Sequence, residues 1–364
     1  MKAGWELKAL GSLLEVKNGY AFDSKKFTPD AGTPLIRIRD IKEGKGTAIN
    51  YNGEYNEEFI CKQGDFLIGM DGEFGCHEWK GDPSLLNQRV CRLENFDSGL
   101  MSRFLFYGIN KYLKEIEEVT GYTTVKHLSS KTIKTIEFPL PALEEQKRIV
   151  SILDEAFEGL DRARENAEAN LKSARELFEV FTKTVFGRSG KGWMQCTIGD
   201  VITLQRGIDI TKKDQRAGRV PVVSSGGVKS YHDTAHTEGP GVIVGRKGSI
   251  GSVHFIDEAY WPHDTTLWVR DFKGNEPELV YFLLIGIRLA ELDTGTANPS
   301  LNRNLVHTVP ISWPSVHLQP AIVKELADCR DASKTSQLQY TAKLQDISDL
   351  RQSLLQKAFA GELT

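Results

Sequence analysis

Two long stretches that are almost free of proline and glycine constrain this chain most. The first runs from Pro141 to Gly187, and between Leu143 and Phe186 its only glycine or proline is Gly159. Small or apolar positions recur there in alternating steps of four and three residues, which is the spacing of a heptad seam. About 40 residues at ~1.5 Å per residue predict a helical rod of roughly 60 Å. The seam positions are Ile149, Leu153, Ala156, Leu160, Ala163, Ala167, Asn170, Ala174, Leu177, Phe181 and Thr184.

The second stretch runs from Pro314 to Gly361 and repeats the first. A shift of 173 residues carries Gln146 to Gln319, and it also superposes Leu177 on Leu350. Its seam is poorer in the middle, where Ser333, Ser336 and Lys343 occur. We expect the two helices to pack together as a coiled coil. The alternative is that they are two separate surface helices of a larger fold.

The regions before the two helices also resemble one another, which predicts a unit that occurs twice. Trp5 matches Trp193, and Gly19 matches Gly207. The predicted architecture is α/β, with two similar domains, each a small mixed sheet with helices, joined by the long helices in a pseudo-two-fold repeat. Its parts are 1–141, 142–188, 189–314 and 315–364. The matching segments are 4–19 with 192–207, 33–41 with 220–228, 64–75 with 240–251, and 121–133 with 295–307.

Short apolar runs and glycines predict the elements inside each unit. Leu35–Ile41 alternates, so we expect Arg37 and Arg39 to share one face of a strand. Short strands are predicted at Phe66–Gly69 and Val242–Gly245. Helices are predicted at Phe104–Val119 and Pro277–Leu292.

The two copies agree at glycine, proline, tryptophan and apolar positions and differ at polar ones. Met70-Asp71 corresponds to Arg246-Lys247, and we align Asn87-Gln88-Arg89 with Asp264-Thr265-Thr266. DNA bases are distinguished by hydrogen-bond donors and acceptors, so two readers of different sequences need different polar side chains on one framework. The alternative is that the polar differences between the copies are ordinary sequence drift on solvated faces after a duplication.

Composition excludes few functions. The net charge of −3 does not by itself indicate nucleic-acid binding. Five cysteines without a C-x-x-C pair are typical of reduced thiols in a cytosolic protein. The start MKAGWELKALGSL lacks the pattern of a signal peptide, and no apolar run reaches the ~18 residues of a membrane span, so we expect a cytoplasmic protein.

The helix start PLPALEEQKRIVSIL, the C-terminal LLQKAFAGELT and the pieces LIRIRDI, GDFLIGMDGEFG and LNQRVCRL together resemble the specificity subunit of type I restriction-modification systems. The resemblance covers nearly the whole chain. It implies two target recognition domains that each read half of an interrupted double-stranded DNA sequence, on an antiparallel helical spacer. It also implies two modification methyltransferase subunits and restriction/translocase subunits as partners. The chain itself would be non-catalytic and bind no cofactor, with S-adenosylmethionine, ATP and Mg²⁺ on the partner subunits.

Other chemistry is only weakly indicated. Pro29-Asp30 followed by Glu43-Gly44-Lys45 imitates a metal-dependent nuclease pattern, but the second copy has no counterpart. His232, His236, His254 and His263 lie in one domain without a supporting cysteine spacing. The chain has no Asn/Asp-Pro-Pro-aromatic methylase motif and no Walker lysine motif. A two-domain scaffold that holds protein partners without reading DNA is the second hypothesis, and a nuclease is the third.

Candidate DNA-binding residues come from the polar positions that differ and from one basic segment. We expect Gln205–Arg219 to form a flexible basic loop that neutralises phosphates. Arg37 and Arg39 could instead form salt bridges with Asp40 or Glu43. The candidates in the first unit are Lys17, Arg37, Arg39, Asn87, Gln88, Arg89, Lys126 and His127. Those in the second are Arg206, Lys212, Lys213, Arg216, Arg219, Arg246, Lys247, Asn298, Asn302 and Arg303.

Overall fold

The structure, a computed structural model, describes residues 2, 4–120, 127–287, 289–292 and 299–363. The chain forms two compact units. Unit 1 comprises 1–164 and 345–364, and unit 2 comprises 165–344. In the described part of the chain, no helix is long and apolar enough to cross a membrane.

The helices range from single turns to two very long elements. They are α1 Ser102–Thr120, α2 Ser130–Lys134, α3 Leu143–Phe186, α4 Ile198–Val201, α5 Pro277–Gly286, α6 Arg303–His307 and α7 Gln319–Ala360.

The strands are short, and eleven of those described belong to unit 1 and nine to unit 2. Those of unit 1 are β1 Glu6–Ala9, β2 Glu15–Asn18, β3 Phe27–Thr28, β4 Thr33–Ile36, β5 Asn50–Tyr51, β6 Ile60–Cys61, β7 Phe66–Gly69, β8 Cys76–Glu78, β9 Ser84–Leu86, β10 Val90–Glu94 and β11 Glu137–Leu140. Those of unit 2 are β12 Trp193–Thr197, β13 Thr203–Arg206, β14 Val220–Ser224, β15 Gly227–His232, β16 Gly241–Gly245, β17 Val253–Ile256, β18 Trp261–Pro262, β19 Thr266–Asp271 and β20 Pro310–Pro314.

The sheet topology confirms the duplication. The central sheet has the order β2-β10-β7-β8 in unit 1 and β13-β19-β16-β17 in unit 2. The outer pair β1-β11 corresponds to β12-β20. Each unit also has one parallel pair, β4 with β9 and β14 with β18, so the sheets are mixed as predicted.

Several predicted elements are confirmed. Strand β7 spans the predicted residues, β16 begins one residue early, and α1 covers the predicted first helix. The predicted helix 277–292 is wrong in its last part, because α5 ends at Gly286 and a separate 3₁₀ turn occupies Leu289–Leu292. The helix stops because Ile287 adopts an extended backbone conformation.

The long helices α3 and α7 pack together within each unit. In unit 1, Arg351 of α7 pairs with Asp161 of α3 at 2.7 Å and covers the Phe157 ring. In unit 2, the Ser333 hydroxyl donates to the Ala174 carbonyl at 2.6 Å. Arg188, just past the end of α3, pairs with Glu325 at 2.9 Å. In unit 2, therefore, the C-terminal part of α3 contacts the N-terminal part of α7, as the predicted antiparallel packing requires.

The predicted heptad seam is confirmed at several positions between Ile149 and Ala174 and is wrong towards the C-terminal end of α3. Ile149, Leu153, Ala167 and Ala174 are buried, but Asn170 is exposed, so the prediction that it sits in the helix–helix seam is wrong. Leu177 is 48% exposed, and the buried face has rotated to Thr182 and Val185. A straight α-helix has 3.6 residues per turn, so a strict 3.5-residue seam drifts around its surface.

Candidate nucleic-acid interface

One tight turn at the end of the parallel strand pair has the same geometry in both units. In unit 1, the Tyr20 N–H donates to the Leu86 carbonyl at 2.9 Å, and the Gln88 N–H donates to the Tyr20 carbonyl at 3.0 Å. A Cβ on Gly19 would lie 2.1 Å from the Asn87 oxygen. The chain can approach the turn this closely only because residue 19 is glycine.

Unit 2 repeats this turn around Gly207. The Ile208 N–H donates to the Pro262 carbonyl at 2.8 Å, and a Cβ on Gly207 would lie 2.0 Å from the His263 oxygen. The Gly19–Gly207 match therefore has a physical cause. The two turns carry Asn87-Gln88-Arg89 in unit 1 and His263-Asp264-Thr265 in unit 2.

This geometry corrects the sequence alignment by one residue. The Met70 N–H donates to the Arg89 carbonyl, and the Arg246 N–H donates to the Thr265 carbonyl, so Arg89 corresponds to Thr265 and not to Thr266. Thr266 pairs with Gly245 in the sheet, as Val90 pairs with Gly69. The register of the backbone hydrogen bonds shows which residues of the two turns are equivalent. The turn residues themselves are too dissimilar to be aligned from the sequence.

The sequence alignment of 121–133 with 295–307 is also wrong by one residue in the part that the structure describes. The Leu128 N–H donates to the Met70 carbonyl, and the Leu301 N–H donates to the Arg246 carbonyl. Leu128 therefore corresponds to Leu301, a shift of 173 residues. Candidates Lys126 and Asn298 lie outside the described residues.

Three side chains meet on the polar face of unit 1. The Asp71 carboxylate accepts hydrogen bonds from Arg89 Nη1 through one oxygen and from His127 Nδ1, at 2.8 Å, through the other. Partial burial opposes ionisation of Asp71, but the bonds from His127 and Arg89 outweigh it and hold its pKa below the usual value. The Arg89 and His127 side chains remain more than half exposed.

The other unit 1 candidates are held in different ways. Gln88 is exposed beside Arg89, and the Asn87 side-chain oxygen accepts the Gln88 N–H at 2.7 Å. Lys17 forms an ion pair with Glu58, and its ammonium lies 4.9 Å from the centre of the Phe59 ring. Lys17 would have to leave Glu58 to reach a phosphate.

The expectation that Arg37 and Arg39 share a strand face is wrong. Strand β4 ends at Ile36, and Arg39 is an exposed turn residue. The Arg37 N–H donates to the Asp40 carboxylate at 2.9 Å, and the Asp40 N–H donates to the Arg37 carbonyl at 2.8 Å. A local side-chain hydrogen bond of this kind competes with continuation of a strand. Arg37 Nε lies 3.8 Å from Asp40, so the alternative pairing with Asp40 is the one observed.

In unit 2, three arginines line one open cavity of about 660 Å³. Arg206 and Arg303 were candidates, and the structure adds Arg270 at the end of β19. Arg206 pairs with Asp264 at 3.1 Å. The lining is Gln205, Arg206, Gly207, Ile208, Asp209, Asp264, Arg270 and Arg303.

Arg246 and His263 lie beside this cavity and are partly withdrawn from solvent. Burial and the neighbouring Arg206 lower the pKa of Arg246. Its Nη1 is buried and has no hydrogen-bond acceptor among the described residues, which costs free energy until a ligand supplies one. Burial, with a contribution from Lys229, lowers the pKa of His263, so its imidazole is neutral at pH 7.

The basic segment 205–219 is only partly a free loop. Gln205 and Arg206 belong to β13. Arg216 donates two hydrogen bonds to Asp233, at 2.6 and 3.0 Å, and the Arg216 N–H donates to His232 Nδ1 at 3.0 Å. Lys212, Lys213 and Arg219 are exposed.

Two further candidates in unit 2 differ in their surroundings. Lys247 is exposed at the turn after β16. The Asn302 side chain accepts the Asn304 N–H at 2.9 Å and so caps α6. Capping accounts for an asparagine at this position without a DNA contact.

The four histidines considered as a metal site are not assembled. His232 accepts from Arg216, His254 contacts the Ser225 carbonyl at 3.0 Å, and His236 packs on Trp261. Among the residues that the structure describes, the only cluster of three potential ligands is Asp209, His263 and Asp264. Asp264 there already pairs with Arg206.

Sequence reasoning missed four residues on these faces. Tyr20, 53% exposed, stands beside the turn of unit 1, and Asp71 was noted only as a difference between copies. In unit 2, sequence reasoning missed Arg270 in the lining of the cavity, and it missed that Asp264 pairs with Arg206. Arg270 follows the buried run Thr266–Val269 and is exposed, and a basic residue at the end of an apolar strand was a usable signal.

The duplicated framework with two different charged faces defines a two-domain recognition protein. A family model described as the type I restriction modification DNA specificity domain matches residues 2–171 and 190–344. The chain belongs to this family. It is the non-catalytic DNA specificity subunit of a type I restriction-modification system, and the catalytic activities of such systems lie in partner subunits.

Two relatives that align with the chain over most of their length support this assignment. The chain is 27% identical to the type I restriction enzyme EcoBI specificity subunit of Escherichia coli, over 99% of this chain and 86% of that protein. It is 26% identical to the MjaVIII specificity subunit of Methanocaldococcus jannaschii, over 88% and 85%.

Solved structures show the same fold. One comes from a study of complex assembly and conformational transition of the type I R-M system. It matches with a TM-score of 0.81 at 17% identity, over 100% of this chain and 99% of that one. The HsdS subunit from Thermoanaerobacter tengcongensis matches with a TM-score of 0.63 at 17% identity, over 100% and 98%.

Proposed function

We propose that each unit reads one half of a bipartite, interrupted double-stranded DNA target through the face built on its turn. One observation carries the proposal. Equivalent framework positions hold Arg89 and Thr265, Asp71 and Lys247, and Gln88 and Asp264, so the same scaffold presents different donors and acceptors. Two half-sites of different sequence require such a difference.

The faces divide into groups suited to bases and groups suited to phosphates. In unit 1, Gln88 and Arg89 are exposed on the turn, and their side chains can form paired hydrogen bonds with adenine and guanine. In unit 2, the Arg206, Arg270 and Arg303 guanidinium groups and the unsatisfied Arg246 offer donors to an anionic backbone. Lys212, Lys213 and Arg219 extend this basic surface.

The same proposal covers the partners. The chain binds two modification methyltransferase subunits and, in the nuclease, restriction/translocase subunits. S-adenosylmethionine, ATP and Mg²⁺ act on those partners, and the complex works in the cytoplasm.

The test begins with methylome sequencing of a host that carries this chain together with its methyltransferase. A bipartite methylated motif is expected, and its absence from an assembled complex would favour the scaffold hypothesis. Alanine is then placed at Gln88 or Arg89. Each substitution should cost about 1–3 kcal/mol and relax one position of one half-site. Equal weakening on all sequences would instead indicate a phosphate contact.

A further inference from the structure

We propose that Asp71 is a positioning residue for base recognition, whose carboxylate holds the Arg89 guanidinium and the His127 imidazole in one geometry on the face of unit 1. The inference rests on the proposed function of that face. It assigns a role to a residue that does not itself need to contact DNA.

The contacts make Asp71 the centre of the group. One carboxylate oxygen accepts from Arg89 Nη1, and the other accepts from His127 Nδ1 at 2.8 Å. A guanidinium has five N–H donors, so one bond to Asp71 leaves donors for the O6 and N7 atoms of a guanine. The Asp71 side chain is 18% exposed, whereas those of Arg89 and His127 are 58% and 57% exposed. The carboxylate lies behind the two groups that solvent and DNA can reach.

The backbone does not depend on this carboxylate. The Met70 N–H donates to the Arg89 carbonyl at 3.0 Å, and the Leu128 N–H donates to the Met70 carbonyl at 2.7 Å. Asp71 and His127 also form an isolated antiparallel bridge. Three main-chain segments are thus joined without the Asp71 side chain, which leaves orientation of Arg89 and His127 as its role.

Electrostatics supports the same conclusion. The lowered pKa of Asp71 keeps it ionised at neutral pH, and an ionised carboxylate on a DNA-binding face repels phosphates. A carboxylate in this place reduces general affinity. Its benefit is a fixed direction for the guanidinium, since paired hydrogen bonds to a base require a defined plane.

Unit 2 places its carboxylate at a different position of the same framework. Lys247 stands where unit 1 has Asp71, and Asp264, at the position of Gln88, pairs with Arg206. Each unit therefore orients a different arginine. This difference suits faces that read different half-sites.

The experiment uses the full chain assembled with its methyltransferase and duplexes that carry the methylated motif or single-base changes in the unit 1 half-site. Arg89→Ala should reduce discrimination at one base position roughly tenfold. Asp71→Asn, which keeps the shape and removes the charge, should reduce discrimination at that same position. At that position the double variant should lose no more than Arg89→Ala alone, because Asp71 acts there through Arg89.

Glu73→Gln is the matched control. Glu73 is in the same loop, carries the same charge and pairs only with exposed Lys42 among the described residues. It should change affinity for all duplexes alike and leave the preferred sequence intact. Asp71→Glu should restore part of the discrimination, and thermal unfolding verifies that each variant is folded.

Three results would overturn the proposal: unchanged discrimination in Asp71→Asn, an equal loss at every base position, or additive losses in the double variant at the position read by Arg89. If Arg89→Ala itself has no effect at any position, the assignment of this face as a base reader fails. The failure of Asp71 alone would leave that assignment standing.

Discussion

At the scale of single residues, the structure separates charged side chains that are available from those already paired. Arg216 and Lys212 look alike in the sequence. Arg216 is held by Asp233 through two hydrogen bonds, whereas Lys212 and Lys213 are exposed. A paired arginine must give up its partner before it can neutralise a phosphate, so its contribution to DNA binding is smaller.

We therefore predict that Lys212→Ala and Lys213→Ala weaken DNA binding more than Arg216→Ala. Each lysine that contacts a phosphate should lower the slope of log K against log salt by about 1. The measurement is the salt dependence of DNA binding by the assembled complex. An equal slope change for Arg216→Ala would mean that its pair with Asp233 opens on DNA.

The ion pair between Asp233 and Arg216 leads to a prediction about pH. Hydrogen bonds from Arg216 and Thr234 lower the pKa of Asp233 to about 2. Because the folded-state pKa is depressed, the pair stabilises the fold above the unfolded value of ~3.9 and is lost as pH falls through about 2. In Arg216→Ala, the pKa of Asp233 should rise towards ~4, as carboxyl NMR titration would show. An unchanged titration would show that Arg216 does not hold this carboxylate.

At the scale of elements, each long helix begins with a buried glutamine that ties it to its own unit. Gln146 accepts the Met101 N–H at 2.8 Å and donates to the Gly99 and Pro141 carbonyls. Gln319 accepts the Glu276 N–H at 2.8 Å and donates to Asn275 and the Pro314 carbonyl. The shift of 173 residues matched these glutamines, and only the structure shows that both fasten a helix start to the loop before α1 or α5.

Gln146→Leu is predicted to destabilise unit 1. Leucine has a similar size but leaves the Met101 N–H and two carbonyls unpaired, at a cost of about 1–3 kcal/mol for a buried polar group. Urea unfolding of the purified chain measures the change. Gln356→Leu, at an exposed position of α7, is the control. A loss no larger than that of the control would contradict the role assigned to Gln146.

At the scale of the whole molecule, the two units are connected only through α3 and α7 among the described elements. The boundary between units falls at Arg164–Glu165 in α3 and at Leu344–Gln345 in α7. Each unit has its own hydrophobic core, and each core includes residues from both long helices. We propose that the recognition domains are exchangeable and that the helices determine the spacing of the half-sites.

Exchange of residues 1–141 or 190–313 for the domain of a relative should change one half of the methylated motif. The other half should persist, because each domain carries a complete copy of the framework. Methylome sequencing of a host with the chimaera measures both halves at once. A change in both halves would contradict independent reading.

Insertion of four residues into both helices, after Arg164 and after Leu344, tests the spacing. One added turn gives ~6 Å of rise against ~3.4 Å per base pair, so the unread spacer should lengthen by about one to two base pairs. The bases read on either side should stay the same. The same spacer in a complex shown to assemble would mean that these helices do not set the distance.

The sequence by itself determined the duplication and the two long helices, because these depend on periodicity and on repeated glycine, proline and apolar residues. The class of protein was implied by the resemblance of its motifs to those of a known family. It did not determine the rotation of the buried face from the predicted seam to Thr182 and Val185, which depends on cumulative helix geometry and packing. Nor did it determine which polar groups are paired. Asp71 lies 18 residues from Arg89 and 56 from His127, and Arg216 lies 17 from Asp233. Only tertiary structure brings such residues together, because charge–charge and hydrogen-bond contacts depend on distance in space, which sequence spacing does not specify.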